Sequence, residues 1–215
     1  MTSLGQGPGF PDTSPAIDSP LDRNQPAGGN TKFATKAAMR QLLLLRHAKS
    51  ARGDPAISDH ARPLTEGGRA AVASLRRAML DLGLAPDVIL VSSARRTIQT
   101  LEALEPWDEN PLIEPMDKLY LATAPQILAI LRGISDTVRS LLVIGHNPGL
   151  HDLALSLAGT HATPASGPVT RQLAEGFPTA ALAEFTVAPR WCDLSSGGGR
   201  LVRFLCPKDL PEMAN

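Results

Sequence analysis

From Arg40 onward, short uninterrupted apolar runs alternate with stretches of helical periodicity, and that alternation leaves few folds open. Residues 41–45, 87–91 and 141–144 carry Leu, Val and Ile without the in–out alternation of a half-solvated strand. Runs of this kind are expected of strands buried on both faces. Residues 112–113, 182–187 and 201–205 add a short strand and two late ones. Between the runs, Val72, Leu75, Met79 and Leu82 recur at helical spacing after Thr65, whose hydroxyl suits an N-cap while Glu66 meets the positive helix end. Gly83 supplies a left-handed stop. Further helices are expected over 94–104, 125–131 and from Pro148, at a first helical position, through Leu157 to Gly159. Strands alternating with helices imply a mostly parallel sheet covered on both faces, a three-layer α/β/α sandwich. Aromatic residues make up only 4% of the chain, so its core has to be built mainly from Leu, Ala, Val and Ile.

The first thirty residues read differently. They hold five Gly and five Pro among Ser, Thr, Asp and Asn, with neither period. Such a segment cannot bury enough apolar surface to offset its ordering entropy, so residues 1–38 are expected to be a disordered tail and 39–215 the folded domain. Asp12, Asp18, Asp22 and Arg23 precede no apolar stretch, which is the wrong pattern for a secretory signal. Met39 stands directly before the first regular segment, and the tail reads equally as an upstream extension or as a regulatory arm.

Charge and cysteine usage narrow the classes of partner. Lys plus Arg and Asp plus Glu stand at 21 each. No chain-wide basic field is therefore available for nucleic acid or anionic lipid. Nor is there an apolar run of the roughly 18 residues a membrane helix needs. Cys192 and Cys206 are too few for a thiolate zinc site or a disulfide framework, and both are expected to be packing residues in a reducing, cytoplasmic compartment.

Ligands of such sheets bind beyond the carboxyl ends of the strands. The first strand runs into Arg46, His47, Ala48, Lys49 and Ser50, the second into Ser92, Ser93, Ala94, Arg95 and Arg96, and the fourth into Gly145, His146, Asn147, Pro148 and Gly149. Two histidines and several arginines thus converge on one edge. Phosphoryl transfer fits them: guanidinium forks stabilise equatorial oxygens, and a neutral imidazole is a competent nucleophile near its reference pKa of about 6.5. A second imidazole, if protonated, would add a donor, as would the N-terminus of the helix after Pro148. No metal or cofactor is required by this scheme.

Residues 42–50 (LLLLRHAKS), 62–69 (RPLTEGGR), 92–100 (SSARRTIQT), Leu119 with Tyr120, 145–149 (GHNPG) and 177–182 (FPTAAL) resemble, in this order, the histidine phosphatase superfamily. Within that phosphoglycerate mutase-like group they look most like the phosphohistidine phosphatases of SixA type. The resemblance spans residues 40–210 and leaves the tail out. It implies that His47 is the nucleophile, transiently phosphorylated, that Arg46 and Arg96 hold the phosphate, and that His146 completes the pocket. Arg95 is expected to face away. Arg62 resembles an additional phosphate-contacting arginine of this branch, its alternative being a surface ion pair with Asp59. Ser50 and Asn147 are further candidates for substrate binding.

Two departures from the family pattern stand out. Ser92 and Ser93 replace the usual Ser-Pro, which removes no functional group. Phosphoglycerate mutase-like relatives use a glutamate to protonate an alkoxide leaving group, yet no motif assigns that role to Glu102, Glu105, Glu114 or Asp117. A poor leaving group needs a positioned acid. The expected substrate is therefore a phosphohistidine protein, whose nitrogen leaves readily, and the enzyme a metal-independent hydrolase. A phosphatase of small phosphorylated molecules and a non-catalytic phosphate-binding module remain as alternatives. A metal hydrolase fits less well, because His146 and His151 lack helical ligand spacing and arginines flank the histidines.

Overall fold

The computed structural model describes residues 39–51, 55–159, 167–188 and 190–210. The expected tail, residues 1–38, lies outside them. One six-stranded sheet carries the fold, in the order β3-β2-β4-β1-β5-β6. Its strands are β1 (Arg40–Arg46), β2 (Val88–Ser92), β3 (Leu112–Met116), β4 (Ser140–Gly145), β5 (Leu182–Val187) and β6 (Gly199–Leu205). The first four in spatial order pair in parallel, whereas β5 lies antiparallel to β1 and β6 antiparallel to β5. Helices α1 (Glu66–Asp81), α2 (Arg95–Glu102), α3 (Ala124–Arg132), α4 (Gly149–Ala158) and α5 (Pro168–Glu175) supply the outer layers.

Strand alternation divides the core into two faces, because successive side chains point to opposite sides of a sheet. Leu42, Leu44, Leu90, Leu141 and Val143 face α3, α4 and α5, where Trp191, Phe177, Phe185 and Phe204 also pack. Leu43, Leu45, Ile89, Val91, Leu142 and Ile144 face Val72, Leu75 and Met79 of α1 and Leu101 of α2, with no buried aromatic ring among them. The three-layer α/β/α architecture is as expected. Buried Glu184 of β5 pairs with Arg203 of β6 and accepts from Gln41 of β1 at 2.9 Å, which satisfies a charge that would otherwise be costly inside the sheet.

Several local readings need adjustment. Strand β3 continues through Pro115, which is tolerated because β3 is an edge strand. Leu82 is the C-cap of α1 and is 38% exposed, so it does not extend the buried stripe. Pro148 occupies the N-cap of α4 and not its first turn. Helix α5 has no counterpart in the sequence reading; Leu173 is its one buried residue, too few for a stripe. Cys206 is buried as expected of a packing residue, whereas Cys192 is exposed.

Two glycines fix how helices meet the sheet. A Cβ at Gly68 would stand 2.3 Å from the Lys49 carbonyl oxygen, and one at Gly149 would stand 1.8 Å from that of Ala122. Alanine at a helical position ordinarily gains about 1 kcal/mol over glycine. A main-chain clash at 1.8 Å outweighs that gain, since overpacking costs roughly 1–3 kcal/mol. Gly149→Ala is expected to lower the unfolding free energy, measured by denaturant titration, by a net of up to about 2 kcal/mol. Unchanged or increased stability in that measurement would show that the Ala122 segment yields freely.

Candidate active site

Parallel pairing of β1 with β4 aligns Arg46 with Gly145, so the next residue on each strand, His47 and His146, emerges at the same level. The His47 N–H donates to Gly145 O at 3.1 Å and closes this junction. The two imidazole centroids lie 5.1 Å apart. Helix α2 starts directly after β2 and delivers Arg96 from its first turn between the two rings. Thr100 and Gln99 lock that helix in place: Thr100 Oγ1 accepts from Ala48 N at 3.1 Å, and Gln99 Oε1 from Leu64 N at 2.8 Å. The family's Gln-Thr pair thus ties α2 to the ends of the β1 and Arg62 segments.

The tautomers follow from the partners. His47 Nδ1 lies 2.8 Å from the Ala48 carbonyl, which can only accept, so Nδ1 carries the proton and Nε2 keeps its lone pair. Arg96 Nε donates to that Nε2 at 3.3 Å. His146 is the mirror case: Arg96 Nη2 lies 3.3 Å from Nδ1 and can only donate, so Nδ1 accepts and Nε2–H donates to Ser92 Oγ at 2.7 Å. Burial pushes the His47 pKa down to about 4, aided by the charges of Arg96, Arg46 and Arg62. Burial, then Arg96 and His47, push His146 down to about 3. Both rings are neutral at pH 7. His146 is therefore an acceptor toward Arg96, and acts as a cationic donor only where an entering anion raises its pKa.

A cavity of about 710 Å³ opens over these rings, lined by Arg46, Lys49, Ser50, Asp59, Arg62, Arg96 and Asn147 as well as both histidines. All seven residues singled out from sequence therefore reach one cavity. Arg46 Nη1 donates to Phe177 O at 2.7 Å, and Asn147 Nδ2 to the same oxygen at 2.9 Å. Ala180, at φ 58°, donates its N–H to the Arg46 and His47 carbonyls, so the 177–182 segment braces the end of β1. Arg62 makes its ion pair with Asp59 at 2.6 Å and still lines the cavity, while its Nη2 donates to Ser50 Oγ at 2.9 Å. Arg95 is exposed. The N-terminus of α4 stops short of the expected anion site: Pro148, Gly149 and Leu150 do not line the cavity, and the Leu150 N–H is spent on His146 O.

Three residues that sequence reasoning did not place shape this site. Ser92 orients His146 from the floor. Tyr120 packs its ring edge-on to His146 at 5.5 Å and donates its hydroxyl to Asp59 Oδ2 at 2.8 Å. Asp59 also accepts from Arg96 Nη2 at 3.0 Å. Ser92 and Tyr120 stand inside motifs without a role of their own there, and Asp59 entered only as an ion-pair partner for Arg62. Among the described residues no three His, Cys, Asp or Glu side chains are grouped to hold a metal ion, and no helix is long and apolar enough to cross a membrane.

A lone-pair nitrogen set among fixed guanidinium groups beyond the ends of parallel strands is the arrangement of a phosphatase of the histidine phosphatase superfamily, and the chain belongs to that superfamily. Within it, the chain sides with the SixA-like branch. An uncharacterised Mycobacterium tuberculosis protein is 36% identical over 168 residues, which are 76% of this chain and 100% of the relative. A structure from Nakamurella multipartitia, provisionally named phosphohistidine phosphatase SixA, superposes with a TM-score of 0.69 at 29% identity, over 80% of this chain and 98% of its own. The protein histidine phosphatase SixA complexed with tungstate gives 0.62 at 25% identity, over 79% and 98%. No family model matches the chain.

Two outcomes test this geometry. A group whose pKa is lowered stays in its neutral, active form until the pH falls through the lowered value. With a phosphoramidate substrate corrected for uncatalysed hydrolysis, kcat/KM is expected to hold below pH 6 and to fall as pH passes about 4. An acid limb centred at about 6.5, the reference value, would contradict a buried neutral His47. Ser92→Ala removes the partner of His146 Nε2, and a lost buried hydrogen bond of about 1–2 kcal/mol predicts a roughly tenfold lower kcat/KM with unchanged circular dichroism.

Proposed function

We propose that the chain hydrolyses phosphohistidine on a protein, through a covalent phosphohistidine intermediate at His47 and without a metal. The observation that carries the reading is the His47 ring: its proton is held on Nδ1 by Ala48 O, so the lone pair is on Nε2, where it accepts from Arg96 Nε at 3.3 Å until a phosphoryl group takes that donor. In the first step Nε2 attacks phosphorus and the P–N bond of a substrate ring protonated by solvent on its other nitrogen breaks, its electron pair remaining on the departing nitrogen of a neutral imidazole. Arg46, Arg62 and Arg96 neutralise the equatorial oxygens as charge moves between the two nitrogens. Water then attacks the phosphorylated His47, a proton passes to solvent, and inorganic phosphate leaves.

The choice of a nitrogen leaving group has its own support. Among the described residues Asp59 is the one carboxylate lining the cavity, and its hydrogen bonds from Tyr120, Arg62 and Arg96 hold its pKa well below the usual carboxylate range. A carboxylate so held has no proton for an alkoxide. Glu102, Glu105, Glu114 and Asp117 do not line the cavity. The four cationic side chains around the cavity also disfavour a bound divalent metal.

Acid-quenched wild-type enzyme is expected to retain label from a ³²P-phosphohistidine protein, and His47→Ala to retain none while losing at least about 10³-fold in kcat. In a panel of phosphohistidine protein, phosphoserine peptide and sugar phosphates, the first is expected to turn over fastest. Faster turnover of the sugar phosphates would move the assignment to a small-molecule phosphatase, and turnover unaffected by His47→Ala would end the covalent mechanism.

A further inference from the structure

The reaction above assigns no task to Asp59, although this carboxylate sits in the middle of the cationic cluster. Its Oδ1 accepts from Arg62 Nη1 at 2.6 Å, and its Oδ2 from Arg96 Nη2 at 3.0 Å and Tyr120 Oη at 2.8 Å. Its main-chain carbonyl takes Arg96 Nη1 at 2.6 Å. One residue therefore engages both terminal nitrogens of Arg96 and one of Arg62. These are the donors a tetrahedral oxyanion would use, since guanidinium forks bind carboxylate and phosphate with the same geometry.

The two anions cannot share the donors without cost. Each N–H makes one strong bond, and a carboxylate left beside a dianionic phosphoryl group repels it across a few ångströms. Mobility decides which partner gives way. Arg96 is 3% exposed and pinned by His47 and His146, so it cannot follow a retreating partner. The Asp59 side chain is 47% exposed and can turn to water. The Tyr120 hydroxyl, which also donates to Oδ2, is a donor the carboxylate can keep when the arginines are taken by an anion.

We propose that Asp59 is an internal competitor for the oxyanion site, its carboxylate holding the donors of Arg62 and Arg96 until a phosphoryl group displaces it and returning to them as inorganic phosphate departs. Asp59 thereby sets the affinity of the site for tetrahedral oxyanions and limits retention of the product. Its charge persists across the working pH range, because the hydrogen bond from Tyr120 and those from Arg62 and Arg96 stabilise the ionised form. The opposite arrangement, in which Asp59 props the arginines in position for the anion, predicts the opposite sign.

The inference rests on the phosphatase reading for the identity of the anion, but its test does not need turnover. Inorganic phosphate and tungstate are titrated calorimetrically into the full chain as wild type, Asp59→Asn and Asp59→Ala, with thermal melting of each to verify folding. Both variants are expected to bind both anions about tenfold more tightly, and Asp59→Asn to show a matching fall in the inhibition constant for phosphate. Unchanged or weaker binding in the two folded variants overturns the proposal in favour of a prop. Tighter binding in a protein that hydrolyses none of the phosphorylated substrates would leave the competitor standing and remove the phosphatase reading.

Discussion

The register between β1 and β4 is the constraint from which the site follows. Parallel pairing brings the ends of the two strands out at one edge, and alignment of Arg46 with Gly145 sets His47 and His146 at equal height. A one-residue slip would turn one of the two to the opposite face. What holds the register is burial: Leu42–Leu45 and Leu141–Ile144 are all 0% exposed, so neither strand can slide without moving leucines between two differently shaped core layers. Helix α2 then needs only to start after β2, the other neighbour of β4, to insert Arg96 between the rings. Sheet order, and not any single contact, accounts for why distant segments of chain meet at one cavity.

Burial at that edge sets the chemistry. Two imidazoles removed from water beside guanidinium groups shed their protons, and the carbonyl of Ala48 decides which nitrogen of His47 is left with a lone pair. The same guanidinium groups that discourage protonation of His47 also await the phosphoryl group. Attraction for substrate and activation of the nucleophile therefore come from one set of charges. A lysine cluster would neutralise the anion but lack the fixed fork that lets Arg96 contact both rings and Asp59 at once.

Much of this was legible from residues alone, and the reasons are local. Strands buried on both faces leave unbroken apolar runs, and those of β1, β2 and β4 were visible; Thr65, Gly83 and Gly159 mark helix ends with side-chain or backbone chemistry of their own. The antiparallel placement of β5 and β6 was not readable, because pairing direction leaves little trace in a short run such as 182–187. Helix α5 escaped because one buried leucine makes no period. At the site, motif residues announced themselves by type and position at strand ends. Ser92 and Tyr120 lay within those motifs, yet their tasks, like that of Asp59, arise only where separate loops fold over the same rings. The α4 N-terminus shows the reverse error: a helix start in the right sequence position whose Pro148, Gly149 and Leu150 do not line the cavity, the Leu150 N–H being bonded to His146 O.

Overall neutrality, 21 cationic against 21 acidic side chains, coexists with a cavity lined, among the described residues, by Arg46, Lys49, Arg62 and Arg96 against Asp59. This imbalance is confined to the region where charge develops during phosphoryl transfer, so specificity cannot come from long-range attraction of any anion and has to come from the reacting group. A leaving alkoxide would carry charge away from the arginines and demand a proton there. A leaving imidazole carries none once its other nitrogen is protonated, and with a reference pKa of about 6.5 that nitrogen takes its proton from solvent near neutrality, without a positioned acid. With the lone cavity carboxylate kept ionised by the arginines themselves, the site is built to stabilise phosphorus-centred charge and poorly equipped to assist a basic oxygen, which is the physical basis of the proposed preference for P–N bonds.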